Sequence, residues 1–260
     1  MSIEKTDIFY KERNAMHVYD TLLIGSSYAS FGYALARKNC LIAEEHHLCD
    51  THFYLPLRSF SYREYTPKTE EGRRLFGFFS KLSLFKNGMQ NTNGFECAFC
   101  QYISESDMMP LLNCRVIRTT EENGIRRVTL QTNEGLSTVN TQKIIDTRAN
   151  GKHKRLTVLF TDRDIEKNAP LLCAAFPDAE IEPAFYEGRY ALHFCADGFD
   201  ENDIKLFVSQ TWRALDIPAR ILSIAPIFSN IGTFEKICDS RYENPIEAFE
   251  IGYEMGATEQ

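Results

Sequence analysis

One stretch near the N-terminus constrains the fold more than any other part of the sequence. An apolar run of strand character, Val18–Ile24, ends at Gly25, a turn of small residues follows, and a helical pattern then begins. A second short apolar run, Cys40–Ala43, is closed by Glu44 and Glu45. Strand, small-residue turn, helix, strand and acid is the order of a βαβ unit that holds the adenosine diphosphate half of a dinucleotide. The stretch therefore predicts an α/β fold with a nucleotide site after its first strand.

The turn departs from the usual G-x-G-x-x-G/A fingerprint, because Gly25 is followed by Ser27 and Ser30 at the later two positions. Serine is small, its hydroxyl can donate to a phosphate, and the helix N-terminus still offers N–H groups to an anion. Glu44, 19 residues after Gly25, is expected to bind the ribose hydroxyls. A carboxylate there favours FAD or NAD over NADP. A structural βαβ unit that binds nothing is the alternative.

Composition limits the classes of partner. With 260 residues and 43% hydrophobic content, we expect one domain with a subdomain. The net charge of −7 argues against nucleic-acid and anionic-membrane partners. No apolar run approaches the roughly 18 residues of a membrane span, and the N-terminus has no apolar signal region. The eight cysteines are therefore interpreted as thiols of a cytoplasmic protein. The sequence does not indicate an oligomeric state.

Residues 46–68 are rich in histidine and aromatic side chains. His46, His47, Cys49 and His52 are of the types that bind zinc. Their spacing matches no closed four-ligand module, so no metal site is predicted. We expect instead a loop that packs over a cofactor or a substrate.

The next segment is predicted to be helical and to carry a cysteine pair. Thr69 is expected to cap a helix that runs towards Phe85. Cys97 and Cys100 form a C-x-x-C, expected just before a helix at about 104–112, where the helix dipole would favour a thiolate. Such a pair can cycle as a dithiol or supply half of a zinc site, although the sequence has no second C-x-x-C. Two buried loop thiols are the alternative.

Three short strands are predicted after residue 114. They span 115–119, 125–132 and 136–139, with turns at 122–124 and 133–135, and so form a β-meander. The meander leads into the segment 141–148.

This order of parts resembles the FAD-dependent oxidoreductases of the glutathione-reductase-like flavoprotein superfamily. The segments that carry the resemblance are Asp20–Ser27, Leu41–Glu44 and Lys143–Thr147, within a covered stretch of about 18–151. The resemblance implies a Rossmann-like FAD/NAD(P)-binding domain with a β-meander, formed by residues 1–152 and 226–260. It also implies a small antiparallel α+β substrate-type subdomain at 153–225.

The sequence departs from the family pattern at two places. Thr147 is followed by Arg148 and then Ala-Asn-Gly, where the family has Ala-Thr-Gly or a close variant. The late Gly-Asp motif has no match, although Asn244 is placed to cap a final helix that begins at Pro245. With these departures noted, the predicted cofactor-binding residues are Gly25, Ser26, Ser27, Tyr28, Ala29, Ser30, Glu44, Glu45, Val116, Asp146, Thr147, Arg148 and Asn244.

The subdomain is predicted to be an antiparallel sheet with one helix, at 200–215. Arg189 and His193 share one strand face and could bind an acidic substrate, although a solvent-facing arginine and a hydrogen-bonded histidine are the alternative. No acid or base stands out, so the only catalytic candidates are His193, Arg189, Cys97 and Cys100.

These observations favour an FAD-binding oxidoreductase that transfers hydride to or from the flavin, with a small molecule as substrate or electron donor. Two other hypotheses stay open. One is a catalytically inactive protein of the dinucleotide fold that binds or regulates. The other is an NAD-binding enzyme, against which the meander and the segment Lys143–Thr147 argue.

Overall fold

The computed structural model describes residues 17–45, 66–86, 89–106, 108, 110–147, 149–224, 228–231 and 245–258. The chain divides into two compact units. The first comprises Met1–Asp50, Cys100–Arg148 and Ala248–Gln260, and the second comprises Thr51–Phe99 and Ala149–Glu247.

In chain order the elements are β1 (Val18–Ile24), α1 (Tyr28–Arg37), β2 (Cys40–Ala43), α2 (Glu70–Lys81), β3 (Phe85–Lys86), β4 (Met89–Gln90), α3 (Thr92–Ser104), β5 (Arg115–Glu122), β6 (Ile125–Thr132), β7 (Gly135–Asp146), β8 (Ala149–Thr161), α4 (Ile165–Ala175), β9 (Glu180–Pro183), β10 (Arg189–Cys195), α5 (Glu201–Ala214), β11 (Arg220–Ile224), β12 (Phe228–Ile231) and α6 (Pro245–Thr258).

The first unit is built on a mixed five-stranded sheet in the order β2-β1-β7-β6-β5. β1 runs parallel to both of its neighbours, β2 and β7, while β5, β6 and β7 are antiparallel to one another. The carboxyl ends of β1, β2 and β7 therefore lie at the same edge of the sheet. The predicted βαβ unit and meander both belong to this sheet.

β7 corrects one detail of the sequence prediction, which divided it into a meander strand at 136–139 and a separate segment at 141–148. The structure forms a single strand of 12 residues, Gly135–Asp146. Asn140 shows why no break occurs, because it is paired with Arg127 of β6 on one side and with Val18 of β1 on the other. The first half of β7 completes the meander, and its second half is the parallel partner of β1.

The helices of the first unit pack with very close backbone contact. A Cβ atom added to Gly32 of α1 would overlap the carbonyl oxygen of Phe249 in α6, and one added to Gly252 would overlap the carbonyl oxygen of Ala29. One turn further, a Cβ at Gly256 would lie 2.6 Å from the carbonyl oxygen of Tyr33. Only glycine at these positions lets the two helices approach so closely.

The second unit holds an antiparallel sheet in the order β11-β8-β10-β9, with β12 also paired to β8. One face is covered by α4 and α5 around a core of buried apolar side chains. That core is formed by Leu156, Val158, Phe160, Leu172, Phe176, Leu192, Phe194, Ala196, Ile204, Val208, Trp212 and Ala219. The prediction of one helix here was wrong, because α4 also forms despite Pro170 in its interior, where proline removes a helical hydrogen bond.

The segment between β2 and β5 contains α2 and α3. Thr69 caps α2 as predicted, since its hydroxyl accepts from the backbone N–H of Gly72 at 2.9 Å. The helix predicted at 104–112 is wrong: α3 ends at Ser104, and Pro110 disfavours helix in the residue before it. Leu111 instead donates its backbone N–H to the carbonyl oxygen of Ile42 at 2.8 Å.

No helix among the described residues combines the length and the apolar character needed to cross a bilayer.

Candidate functional site

The turn after β1 has the backbone conformation that the sequence predicts. Gly25 has a φ of 97°, in the region that favours glycine. Ser27 is the N-cap of α1, and its hydroxyl accepts from the backbone N–H of Ser30 at 3.1 Å. The Ser30 hydroxyl accepts in return from the backbone N–H of Ser27 at 3.3 Å. This reciprocal capping fixes where α1 begins, at the end that carries the positive partial charge of the helix.

Two hydroxyl groups bond to the carbonyl oxygen of Gly25, and a third bonds to one of them. The Oγ1 atom of Thr147 lies 2.9 Å from the carbonyl oxygen of Ile24, 2.8 Å from that of Gly25 and 2.8 Å from Ser30 Oγ. Ser30 Oγ also lies 2.9 Å from the Gly25 carbonyl oxygen and 2.9 Å from Ser27 Oγ. Each hydroxyl has a single proton and more than one oxygen within reach. Thr147 and Ser30 can therefore each serve as the donor to the Gly25 carbonyl oxygen. The network ties the carboxyl end of β7 to the turn.

Glu44 lies against the same turn. Its side chain is buried, with 5% of the residue exposed, and its Oε2 atom accepts from the backbone N–H of Ser26 at 2.6 Å and from the Ser26 hydroxyl at 2.9 Å. The backbone N–H of Gly25 donates to the carbonyl oxygen of Ala43 at 2.8 Å, which brings the ends of β1 and β2 together. A carboxylate is thus held at the carboxyl ends of adjacent parallel strands, beside a helix N-terminus.

The two serines do not present their hydroxyls as the sequence analysis expects. Ser27 and Ser30 are 2% and 0% exposed, and their hydroxyls bond within the turn. Tyr28 and Ala29, also predicted to bind the cofactor, are 0% and 1% exposed. The hydroxyls of Ser27 and Ser30 are therefore engaged within the turn.

The remaining described residues of the predicted site lie around this edge. Asp146 is the last residue of β7, is half-buried and is aligned with Ile24. Glu45 forms an ion pair with Arg115 at 3.3 Å. Val116, in β5, is half-buried against the apolar core of the first unit.

Several sequence predictions fall on residues outside the described part of the chain. These are Arg148, Asn244 and the zinc-type side chains His46, His47, Cys49 and His52. Among the residues that the structure does describe, no group of three or more His, Cys, Asp or Glu side chains is placed to hold a metal ion.

The cysteine pair lies on a helix, so the expectation that it precedes one was wrong. Cys97 and Cys100 are in α3 and both are exposed, so they are not buried loop thiols. Cys97 is more than one turn from the helix start at Thr92, so the positive end of the helix dipole does not act on it at short range.

His193 is held by two hydrogen bonds within the second sheet. Its Nε2 atom lies 2.9 Å from Oε1 of Glu182, and its Nδ1 atom lies 2.8 Å from the hydroxyl of Thr157. Because a carboxylate only accepts, Nε2 carries the proton. Arg189 is exposed, with its guanidinium 4.8 Å from the ring centre of Tyr186. The structure therefore gives His193 and Arg189 different partners.

The glycines that bring α1 and α6 together are not among the residues predicted from the sequence. Gly252 and Gly256 are four residues apart, which places them on one helix face. That spacing is the signal that would have indicated a close helix contact.

Neither a family model nor a curated relative matches the sequence. Solved structures do match in fold. The p-nitrophenol 4-monooxygenase from Pseudomonas putida DLL-E4 is 9% identical with a TM-score of 0.54, over 90% of this chain and 76% of that one. The flavin-dependent halogenase CmlS is 11% identical with a TM-score of 0.56, over 93% and 58%. Aklavinone-11 hydroxylase, solved with FAD and aklavinone, is 11% identical with a TM-score of 0.51, over 92% and 62%.

This chain thus spans between 58% and 76% of the length of those three proteins. At these identities the likeness concerns the fold alone. The chain has a mixed α/β fold, with a mixed sheet, that is similar to the fold of a monooxygenase, a hydroxylase solved with FAD and a flavin-dependent halogenase.

Proposed function

We propose that this protein is an FAD-binding oxidoreductase. The observation that carries the proposal is the position of Glu44, a buried carboxylate fixed against the Gly25 turn at the carboxyl ends of β1 and β2. This is the place at which an open α/β sheet binds a dinucleotide. The similarity in fold to proteins described as flavin-dependent supports FAD over NAD.

The residues at the turn fit the adenosine half of FAD. The pyrophosphate would lie at the N-terminal end of α1, in the field of the helix dipole. The Glu44 carboxylate accepts from the ribose hydroxyls, and its negative charge disfavours a 2′-phosphate. Ser27, Ser30 and Thr147 hold the turn in shape for this contact. When bound, FAD would supply the hydride-transfer chemistry at its N5 atom.

We further propose that the chain is a short member of the glutathione-reductase-like flavoprotein superfamily. In this proposal it has a Rossmann-like cofactor domain and a smaller antiparallel sheet for a small-molecule substrate or electron donor. It acts in the cytoplasm. Asp146, Arg148, Val116 and Asn244 complete the set of cofactor contacts.

Colour and reconstitution test the proposal. We expect the purified protein to absorb near about 450 nm, the flavin band, or to gain that band when FAD is added and excess is removed. A colourless protein that takes up no FAD would refute it. The expected binding is also lost in Gly25→Val, because a β-branched residue does not adopt a φ of 97°.

A matched pair of variants tests the role of Glu44. Glu44→Gln retains an oxygen that accepts from Ser26 but loses the charge that strengthens hydrogen bonds to ribose, so FAD should bind about tenfold more weakly, the effect of roughly 1.4 kcal/mol. Glu45→Gln removes a neighbouring charge that is paired with Arg115, and it should leave the affinity within about twofold. Equal effects of the two changes on the dissociation constant, measured by flavin fluorescence, would contradict the assignment.

The second candidate is a catalytically inactive protein of the same fold that binds or regulates. The observation that favours it is the placement of the four catalytic candidates. Cys97 and Cys100 lie on a helix surface, Arg189 contacts Tyr186, and His193 is enclosed by its two hydrogen bonds. This candidate would be favoured if the protein takes up FAD but the bound flavin is not reduced by NADH, NADPH or other electron donors apart from dithionite.

A further inference from the structure

The solvent-facing side of α3 carries two cysteines. Phe99 and Tyr102 are buried, with 0% and 6% of their surface exposed, whereas Cys97 and Cys100 are both exposed. Cysteine is among the residues most often found buried, and an exposed cysteine contributes little to packing. The presence of two cysteines on the solvent-facing side of one helix is therefore better explained by thiol chemistry than by packing.

The other described cysteines differ from this pair in accessibility or in reactivity. Cys114 is 2% exposed, and burial raises the pKa of its thiol to about 11. Cys173 is exposed, but partial burial of its thiol raises the pKa above the ordinary value, and it has no neighbouring cysteine in sequence. Cys40 and Cys195 are only partly accessible. Cys97 and Cys100 alone among the described cysteines are both exposed and adjacent.

The helix itself sets the distance between the two thiols. Residues three apart in an α-helix have Cα atoms about 5 Å apart and Cβ atoms about 5–6 Å apart. A disulfide accepts this Cα distance but requires Cβ atoms about 3.5–4.5 Å apart. Closing the bond therefore needs the turn to tighten by roughly 1 Å or more, which leaves the disulfide strained and easily reduced.

We infer that Cys97 and Cys100 form a surface dithiol that is reversibly oxidised to an intrahelical disulfide by a small-molecule disulfide such as oxidised glutathione. One thiolate attacks the glutathione disulfide, forms a mixed disulfide and releases one glutathione thiolate. The second protein thiolate then attacks the protein sulfur of that mixed disulfide and releases the second glutathione. The protein gives up two electrons and two protons, and one oxidised glutathione becomes two molecules of reduced glutathione.

Thiol mapping on the full-length protein tests this inference. The reduced protein is incubated with oxidised glutathione, quenched with acid, labelled with N-ethylmaleimide in denaturant and analysed as peptides by mass spectrometry. We expect the peptide with Cys97 and Cys100 to be unlabelled and two hydrogens lighter, and to regain both labels after dithiothreitol. Half-oxidation should need about tenfold less oxidant than half-modification of Cys173, because the second thiol is supplied within the same molecule.

Single variants identify the mechanism. In Cys97→Ser and in Cys100→Ser, the remaining thiol has no resolving partner and should retain a glutathione adduct. Cys173→Ser should oxidise at the pair as the wild type does. Far-UV circular dichroism checks that each variant keeps its helices, which serine at an exposed helix position permits. If the wild type instead carries separate adducts on both cysteines, or stays fully reduced when Cys173 is modified, the inference is overturned.

Discussion

The contact between α1 and α6 gives the sharpest prediction of stability, through the change Gly252→Ala. The new Cβ atom would overlap the carbonyl oxygen of Ala29 and lie 2.7 Å from the carbonyl carbon and 2.8 Å from the Cα atom of the same residue. Carbon atoms in contact are normally 3.5–4.0 Å apart. The two helices must therefore separate by about 1 Å, because every atom in the way is backbone and none can rotate aside.

The magnitude follows from two opposing terms. Alanine gains about 1 kcal/mol over glycine in helix propensity. Overpacking of this kind costs about 1–3 kcal/mol, and a gap of 1 Å also forfeits up to about half of the dispersion energy of neighbouring contacts along the interface. We expect Gly252→Ala to lower the free energy of unfolding by about 2 kcal/mol. Gly32→Ala presses on the same interface, so the double variant should cost less than the sum of the two single changes.

Gly77 provides the matched control. It is also a helix-interior glycine, in α2, but a Cβ atom there would have no neighbour within 4 Å. Gly77→Ala should therefore raise stability by about 0.5–1 kcal/mol. Urea unfolding followed by circular dichroism measures both changes. If Gly252→Ala is as stable as Gly77→Ala, the close backbone contact does not exist in solution.

Two further predictions concern buried polar groups of the first unit. Thr147→Val and Ser30→Ala should each destabilise the protein by about 1–2 kcal/mol, because each removes a buried hydroxyl that is hydrogen-bonded. The loss stays in this range because the other hydroxyl can still donate to the Gly25 carbonyl oxygen. The double variant leaves neither, so a double-mutant cycle should exceed additivity, and strict additivity would refute the shared donation. For Cys114, burial raises the pKa of the folded thiol from the ordinary 9.0 to about 11. Between these pH values the unfolded thiol ionises while the folded one stays protonated, so stability should fall as pH rises. Cys114→Ala should show a shallower loss of stability over this pH window in urea titrations, and an equal slope would contradict the burial of the thiol.

Local signals in the sequence predicted the elements that frame the site. The glycine conformation at Gly25, the start of α2 after Thr69 and the strand Cys40–Ala43 each depend on a few neighbouring residues, and the structure has all three. The 19 residues from Gly25 to Glu44 leave room for a helix of only about three turns, and α1 ends at Arg37.

Features that depend on distant partners were not predictable from local pattern. The serine hydroxyls look available to a phosphate in the sequence, but the hydroxyl of Thr147, 117 residues after Ser30, lies within hydrogen-bonding distance of the Ser30 hydroxyl. His193 looks like a candidate catalyst until Thr157 and Glu182 are seen to bond both ring nitrogens. In each case the partner lies in a strand or directly after one, and its position is set by strand register and not by sequence spacing.

Through β7, the hairpin loop between β6 and β7 determines the position of Thr147 at the other end of the strand. Its first residue, Gly135, is paired with Thr132 across the two-residue loop that joins β6 to β7. Its last residue, Asp146, precedes Thr147 at the Gly25 turn. The strand is continuous, so a shift of one residue at the loop would move Thr147 away from that turn by about 3.3 Å and turn Val139 from the core to the opposite face. The two-residue length of the hairpin loop therefore fixes the register of β7, and this register places the Thr147 hydroxyl at the Gly25 carbonyl.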